Sequence, residues 1–111
     1  FYQRDMDVTG LMNLEIGQTP FDNINEIVHS ENGYSCGSGD SFVTDHIPIK
    51  VDVVDMEAYA LAKVCKLENI NFRCFKFISD NADKAASSDW IENCEKGAKL
   101  FKQKLKEITL L

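Results

Sequence analysis

The chain has 111 residues and a formal net charge of −6 at pH 7, from 18 acidic and 12 basic side chains. A chain of this length is expected to form a single domain, residues 1–111, that buries about two-thirds of its unfolded surface. The acidic balance argues against nucleic acid or an anionic membrane as the partner, because both reward a basic face. A small, locally neutral or cationic ligand is favoured instead.

The cysteines are widely spaced within apolar segments and form no Cys-x-x-Cys pair: Cys36, Cys65, Cys74 and Cys94. This pattern predicts buried thiols in a reducing compartment rather than a disulfide framework or a zinc site. His29 and His46 have no Cys or His at ligand spacing and are predicted to lie on the surface or in turns. No apolar run reaches the roughly 18 residues of a membrane span, and no signal peptide is recognisable. We therefore expect a cytoplasmic protein without a cofactor or metal.

Strands and loops are predicted for the N-terminal part of the chain. Residues 1–14 mix aromatic and β-branched side chains with acids, which favours a surface strand and loop. Residues 18–23 form a loop by their Pro, Asp and Asn content. We expect a short helix over Asn23–Ser30. Its inward side chains would be Ile24, Ile27 and Val28.

One glycine-rich run, GYSCGSGD, covers residues 33–40. A phosphate-binding loop would need a lysine and a helix directly after it, and neither follows, so a P-loop is rejected. The glycines are expected to let a strand lie close to another backbone. The pattern alone predicts that Phe42 and Val43, which come next, form a buried strand end.

Residues 51–83 carry the α/β pattern most clearly. Val51–Val54 is an apolar strand, and Met56–Glu68 is a helix that is apolar almost all round and rich in small residues, which suits a crossover packed on a sheet. Asn69 and Asn71 mark a turn into a second predicted strand, Phe72–Ile78. The segment therefore predicts a right-handed βαβ unit with parallel strands.

An acid follows each of these two strands: Glu57 after the first and Asp80 after the second. Ligands bind at the carboxyl ends of parallel strands, so we expect both acids to face one crevice. Composition and spacing alone favour structural roles instead. Glu57 would gain from the dipole of its helix, and Asp80 would form an ordinary Asx-turn or cap.

The last predicted element is an amphipathic helix over Asp89–Ile108. Asp89 with Glu92 resembles a capping box, and the lysines on the other faces predict a solvated surface. Its apolar side chains recur at spacings of three and four: Ile91, Cys94, Ala98, Phe101, Leu105 and Ile108.

Four segments, in order across about three-quarters of the chain, resemble motifs of the nucleoside phosphorylase and nucleosidase superfamily. Val54–Ala58, VDMEA, is similar to its V-x-M-E-A signature, and Ile78–Asp83, ISDNAD, is similar to its I-S-D-x-A-D loop. Two matches are weaker. They are Arg4–Thr9, RDMDVT, which resembles H-D-x-D-V-T with a later Gly17–Gln18, and Ser38–Val43, SGDSFV, which resembles S-G-D-x-F-[IV]. The chain resembles the methylthioadenosine/S-adenosylhomocysteine nucleosidase branch most.

The resemblance implies an α/β fold, a three-layer sandwich of the nucleoside phosphorylase type, of which these residues form the C-terminal part. It also implies a purine nucleosidase that hydrolyses the N-glycosidic bond of adenine nucleosides such as 5′-methylthioadenosine or S-adenosylhomocysteine. Asp80, oriented by Ser79, would protonate the purine at N7 while positive charge develops on the ribosyl ring. To carry that proton at neutral pH, Asp80 must sit in a closed, partly apolar site.

The remaining site residues are implied by the same resemblance. Glu57 would accept hydrogen bonds from the ribose 2′- and 3′-hydroxyls, and Met56 would pack against the sugar. Phe42 would stack on the purine, and the backbone of Val43 would hydrogen-bond its edge. Trp90 falls where the superfamily keeps an aromatic ring over the nucleoside pocket.

Hydrolysis is favoured over phosphorolysis, because a phosphate site needs fixed cations, preferably arginine. The sequence holds only Arg4 and Arg73, and neither follows the Asp80 loop. An acid at position 80 fits adenine, whereas relatives that prefer 6-oxopurines tend to have Asn there. A purine nucleoside phosphorylase and a non-catalytic nucleoside-binding remnant or assembly partner remain as alternatives.

Relative to the superfamily, the first strands, the glycine-rich loop near the ribose and the water-activating acid do not occur in these residues. The chain is expected to be a natural short variant, a fragment or one piece of a larger assembly, and to be inactive or very slow alone. Residues 1–14 would lie at a homodimer interface beside the neighbour's pocket.

Overall fold

The protein was analysed as a computed structural model. It describes residues 1–8, 12–14, 19, 22, 24–30, 32–46 and 49–109, with the backbone alone for residues 2–8 and 12–14. The chain forms two compact units. The first comprises Phe1–Phe42 with Ile47–Cys74, and the second comprises Val43–His46 with Phe75–Leu111.

The first unit contains a four-stranded mixed sheet. Its strands are β1 (Tyr2–Val8), β2 (Met12–Leu14), β3 (Cys36–Gly39) and β4 (Val53–Asp55), in the order β2-β1-β3-β4. The β1–β2 pair is antiparallel, whereas β1, β3 and β4 are parallel to one another. Parallel strands followed by helices are compatible with an α/β fold, and the parallel pairing brings the carboxyl ends of β3 and β4 to one edge.

A tight contact explains why β3 arises from the glycine-rich run. A Cβ on Gly37 would lie 3.0 Å from Cδ1 of Ile49 and 3.2 Å from Cγ2 of Val51. Glycine therefore lets these two branched side chains lie directly on the strand, and all four residues of β3 are buried. The expected close approach occurs, but side chains make it rather than another backbone.

Helix α1 (Ala58–Leu67) follows β4 and confirms the predicted helix, but no strand follows it within the described residues, so the predicted βαβ crossover is wrong. Its buried residues are Ala58, Tyr59 and Ala62. Leu61 and Val64 are more than half exposed, so the helix buries one side rather than being covered all round. Ala58 and Ala62 face the interior, where their small size allows the helix to lie close to the sheet.

The core of the first unit is formed by Ile27, Tyr59 and Ala62, with the rings of Phe1 and Phe72 packed against it. The backbone nitrogen of Phe1 donates to the carbonyl of Ile27, and the Ile27 N–H donates back to the Phe1 carbonyl, both at 2.8 Å. This pair of hydrogen bonds holds Ile27 beside Phe1, where its side chain is buried in the core.

The predicted helix over Asn23–Ser30 is wrong, because the described residues 24–30 contain no helix. The Ile27 N–H, which a helix would use internally, is instead bonded to Phe1. Ile27 is buried as expected, whereas Ile24 and Val28 are exposed.

His29, predicted to lie on the surface or in a turn, lies at a bend of the chain and is half-buried. Its ring lies 6.1 Å from the ring of Phe1 and 5.5 Å from that of Phe72, measured between centroids. Its Nε2 lies 3.3 Å from the carbonyl oxygen of Ala62. Because a carbonyl can only accept, a hydrogen bond between these two atoms requires the hydrogen to be on Nε2.

The predicted strand Phe72–Ile78 is also wrong: these residues are all described, and none is in a strand. Their aromatic and β-branched composition suits a strand, but a strand exists only where a second backbone completes the ladder. Here the chain passes from the first unit to the second between Cys74 and Phe75. Phe72 packs in the first unit and Phe77 in the second.

Helix α2 (Ala86–Thr109) dominates the second unit and confirms the predicted amphipathic helix. It begins three residues earlier than expected, because Asp83 accepts hydrogen bonds from the N–H groups at the start of the helix. The Asp83 carbonyl accepts the Ala86 N–H at 3.0 Å, and its Oδ1 accepts the Ala85 N–H at 2.9 Å. Asp89 is therefore a first-turn acid, favourable to the helix dipole, and not the cap.

The side of α2 that is buried is set by Gly97. A Cβ there would lie 2.7 Å from Cδ1 of Phe77, so glycine is required for the ring to contact the helix. Ile91 and Leu105, expected to face inward, are 69% and 61% exposed. The apolar periodicity located the helix but not the side that packs within this unit.

None of the four cysteines, all of which lie in the described residues, forms a disulfide. Cys36 is buried and Cys65 is half-buried, but Cys74 and Cys94 are exposed, so the prediction of four buried thiols is wrong. Cys74 lies in the unpaired segment before the second unit, and Cys94 lies on the exposed apolar side of α2. Neither α1 nor α2, the two helices within the described residues, is long and apolar enough to cross a membrane.

An ion pair attaches Asp22 to α1. Oδ1 of Asp22 lies 2.9 Å from Nζ of Lys63 and also accepts the Thr19 hydroxyl and the Ile24 N–H, each at 2.9 Å. The hydrogen bonds from Lys63, Ile24 and Thr19 lower the pKa of Asp22 from 3.8 to about 2. Burial acts to lower the pKa of Lys63, but the hydrogen bonds to Asp22 and Tyr59 outweigh this effect, so the pKa is raised.

We expect this pair to give acid-sensitive stability. The pKa of Asp22 is lower in the folded state, so its contribution is present above about pH 4 and is lost as the pH falls toward about 2. Asp22→Asn should be less stable than the parent near neutrality, and the difference in urea midpoint should shrink over that window. Asp45→Asn, at an exposed acid, is the control. A difference that is constant with pH would contradict the assignment.

Candidate active site

The carboxyl ends of β3 and β4 are joined to the first turn of α1 by Ser38 and Asp55. The Ser38 hydroxyl donates to Oδ1 of Asp55, and its oxygen accepts the Tyr59 N–H at 2.8 Å. Oδ2 of Asp55 accepts the Ala58 N–H at 3.0 Å. Two N–H groups that a helix start leaves without internal partners are thereby satisfied. Since Ser38 is only 5% exposed, this network is part of the interior.

Glu57 lies at the N-cap position of α1, between Asp55 and Ala58, whose positions that network fixes. Its side chain makes no capping hydrogen bond to the helix and is exposed. The capping function is carried by Asp55 and Ser38, so the helix does not need the Glu57 carboxylate for this purpose. Met56, before it, is 42% exposed. Both side chains are accessible at the carboxyl end of β4.

Phe42 follows β3, which ends at Gly39, and its side chain is 45% exposed. The expectation of a buried strand end is therefore wrong for Phe42. Val43 is half-buried and belongs to the second unit. Because the ladder with β4 ends at Ser38, the chain leaves the sheet before it reaches either residue. Their contacts with a purine stay predictions.

Asp80 lies in a turn before α2 in which each carboxyl oxygen has a donor. The Ser79 hydroxyl donates to Oδ2 at 2.7 Å, and the Ala82 N–H donates to Oδ1 at 2.8 Å. Ser79 and Asp80 are both half-buried. Ala82 has φ of 52°, a left-handed conformation that costs an L-residue about 1–2 kcal/mol. Strain of this kind is concentrated at functional sites.

The bond from Ala82 makes Asp80 part of an Asx-turn, which was the structural alternative for this residue. The turn engages only Oδ1, however, and leaves Oδ2 to face Ser79. Asp80 is also not the cap of α2, because Asp83 provides the bonds at that helix start. The structural role therefore accounts for one of the two carboxyl oxygens.

Trp90 lies near the start of α2, in the same unit as Asp80, and is 48% exposed. Glu57 and Met56 belong to the first unit. The candidate residues are thus grouped at the β4–α1 junction in one unit and at the Asp80 turn in the other. That Glu57 and Asp80 face one crevice stays a prediction.

Two residues at these positions were not identified from the sequence: Asp55 and Asn93. The Asn93 side-chain nitrogen donates to the carbonyls of Ser79 and Asp89, both at 2.9 Å. A signal was present in each case. Asp55 is a short acid directly before a helix start, and Asn93 is a poor helix former inside a helix. No cluster of three His, Cys, Asp or Glu able to hold a metal ion occurs in the part of the chain that the structure describes.

We expect Ser38→Ala to lower the free energy of unfolding by about 1–3 kcal/mol, because it leaves the buried Tyr59 N–H without its partner and removes a donor from Asp55. Urea titration followed by circular dichroism would measure this loss. Ser87→Ala, on the exposed surface of α2, is the matched control and should be close to neutral. Equal effects of the two substitutions would show that the Ser38 bonds contribute nothing.

Comparison with known proteins gives one significant result. No curated protein and no solved structure matches the chain significantly. Residues 40–109, more than half of the chain, match the family model described as the phosphorylase superfamily. The matched region contains β4, α1 and α2, and every candidate site residue from Phe42 to Trp90. The chain therefore belongs to the phosphorylase superfamily, which includes nucleoside phosphorylases and nucleosidases.

Proposed function

We propose that the protein is a purine nucleosidase that hydrolyses the N-glycosidic bond of adenine nucleosides such as 5′-methylthioadenosine or S-adenosylhomocysteine. The proposed setting is the three-layer nucleoside phosphorylase sandwich. Membership of the superfamily supports glycosyl transfer as the reaction class. The observation that carries the proposal is the half-buried Asp80 carboxyl, whose two oxygens have different partners.

The different partners indicate which oxygen of Asp80 would carry the proton in the proposed reaction. Oδ1 accepts the N–H of Ala82, which can only donate, so Oδ1 remains an acceptor. Oδ2 lies beside the Ser79 hydroxyl, which rotates and can either donate or accept. Ser79 can therefore serve the carboxyl before and after proton transfer. Oδ2–H is the group that would donate to the purine.

Proton transfer addresses the main chemical barrier, because a purine anion is a poor leaving group. As the bond from C1′ to N9 breaks, its electron pair moves to the purine, and N7 takes the proton from Asp80. Water then adds at C1′ and releases a proton to solvent, and the Asp80 carboxylate takes up a proton from solvent to restore the acid. The ribosyl ring becomes cationic in between, and hydrogen bonds from its hydroxyls to the Glu57 carboxylate strengthen as that charge develops.

The remaining roles follow from the resemblance. Met56 packs against the sugar, Phe42 stacks on the purine, Val43 contributes its backbone to the base edge, and Trp90 covers the nucleoside. Phe42, Met56 and Trp90 are each between 42% and 48% exposed, so their apolar surfaces are available to a ligand. Stacking of an aromatic ring on a nucleobase is favourable, and it does not depend on which base is present.

A purine nucleoside phosphorylase is the second candidate, because the same superfamily includes such enzymes. Hydrolysis is preferred because phosphate needs fixed cations, and no arginine follows the Asp80 turn in the sequence. Arg73 is exposed and belongs to the first unit.

Phosphate dependence separates the two candidates. The full-length protein should release adenine from 5′-methylthioadenosine in phosphate-free buffer and yield the free sugar. Addition of phosphate should leave the rate unchanged and produce no sugar 1-phosphate, because water is the nucleophile. Chromatography of both products would measure this. Turnover that requires phosphate would favour the phosphorylase, and nucleoside binding without turnover would favour a non-catalytic protein.

Asp80→Asn should lower kcat for adenine release by about 10²-fold or more, because asparagine keeps the shape and a donor but cannot deliver a proton. Binding of a nucleoside analogue, measured by calorimetry, should persist. Lys84→Gln, an exposed neighbour, is the control. Full turnover by Asp80→Asn with a normal melting curve would remove Asp80 from the catalytic role.

A further inference from the structure

The side-chain amide of Asn93 is held in one orientation. Its two hydrogens point to two carbonyl oxygens, those of Ser79 and Asp89, each 2.9 Å from Nδ2. Its Oδ1 lies 3.4 Å from Nζ of Lys96, a donor. A flipped amide would set Oδ1 against both carbonyls, and oxygen acceptors repel one another. The bond to Asp89 is made within α2, so the helix itself aims the amide at Ser79.

A second contact sets the register between α2 and the segment that leads to Asp80. Phe77 packs on Gly97, and Ser79 is bonded to Asn93, so this segment runs antiparallel to the helix. Asn93 and Gly97 are four residues apart, a rise of about 6 Å along a helix. Two residues of extended chain cover about 6.6 Å. The two spacings agree, so both contacts can form together.

We propose that Asn93 is a positioning residue for Asp80, and the proposal rests on the proposed function, in which Asp80 delivers a proton. Asn93 fixes the carbonyl of Ser79, the same residue whose hydroxyl contacts Oδ2 of Asp80. Anchoring that peptide group fixes where the hydroxyl and Oδ2 lie. Gly97 allows the segment to approach closely enough for this bond. Displacement of a reacting group by about 1 Å can cost up to 10²-fold in rate.

The test uses the full-length protein with Asn93→Leu, which has similar size and no donor. Its kcat for adenine release should fall by about 10-fold to 100-fold, with KM changed by less than about threefold, because the proton donor moves while the groups that hold the substrate stay in place. Asn93→Gln, which keeps the two amide hydrogens, should recover most of kcat. Glu92→Gln, the exposed preceding residue, is the matched control and should leave both constants unchanged.

Asn93→Asp is the second variant, in case leucine impairs folding. It keeps the size but places only oxygens opposite two carbonyls, so the same loss of kcat is expected. A folded Asn93→Leu or Asn93→Asp variant that keeps the parent kcat overturns the proposal. A variant whose melting temperature falls while its kcat is unchanged overturns it as well. If Asp80→Asn is inactive and Asn93→Leu is normal, the positioning role alone fails. Turnover by Asp80→Asn at the parent rate overturns both the positioning role and the proposed function.

Discussion

The hydroxyl of Ser38 is the point at which the first unit is joined together. It bonds the end of β3 to Asp55 at the end of β4, and it receives the Tyr59 N–H from the first turn of α1. One buried group therefore links two strands and a helix. The cost of leaving such a group unsatisfied is what makes the junction specific, since an alternative register would bury a hydroxyl or an N–H without a partner. The side chain of Tyr59 packs beside Ile27, so the junction is directly connected to the core.

The second unit uses short polar side chains in the same way. Asp83 serves the start of α2, Asn93 reaches from the helix to the Ser79 carbonyl, and Ser79 contacts Asp80. The strained conformation of Ala82 is maintained because its N–H is bonded to Asp80. In both units, hydrogen bonds of neighbouring residues therefore hold in place the backbone segment that carries a candidate acid. Such preorganisation is what proton transfer and charge stabilisation require.

Burial differs between the two sides of each helix. In α1 Ala58, Tyr59 and Ala62 are buried while Leu61 and Val64 are exposed. In α2 Ala86 and Gly97 are buried while Ile91 and Leu105 are exposed. Four of these five buried residues are small, and small residues permit close approach of a helix to its neighbour. Residue size alone does not identify the packed side, because Tyr59 is buried while Ala60 and Ala98 are exposed.

Local pattern determined the features that depend on neighbours in the chain. The extent of α1, the body of α2 and the turn at Asn69 follow from periodicity and residue type, because helix hydrogen bonds join residues four apart. The letters of the ISDNAD segment also indicated the acid that the proposal uses. Tertiary structure decided the rest, because it depends on which distant backbone or donor is near. Phe72–Ile78 has strand composition but no strand partner among the described residues, and Ile27 bonds to Phe1 instead of forming a helix. The links from Ser38 to Asp55 and from Asn93 to Ser79 span 17 and 14 residues, distances over which no sequence period operates.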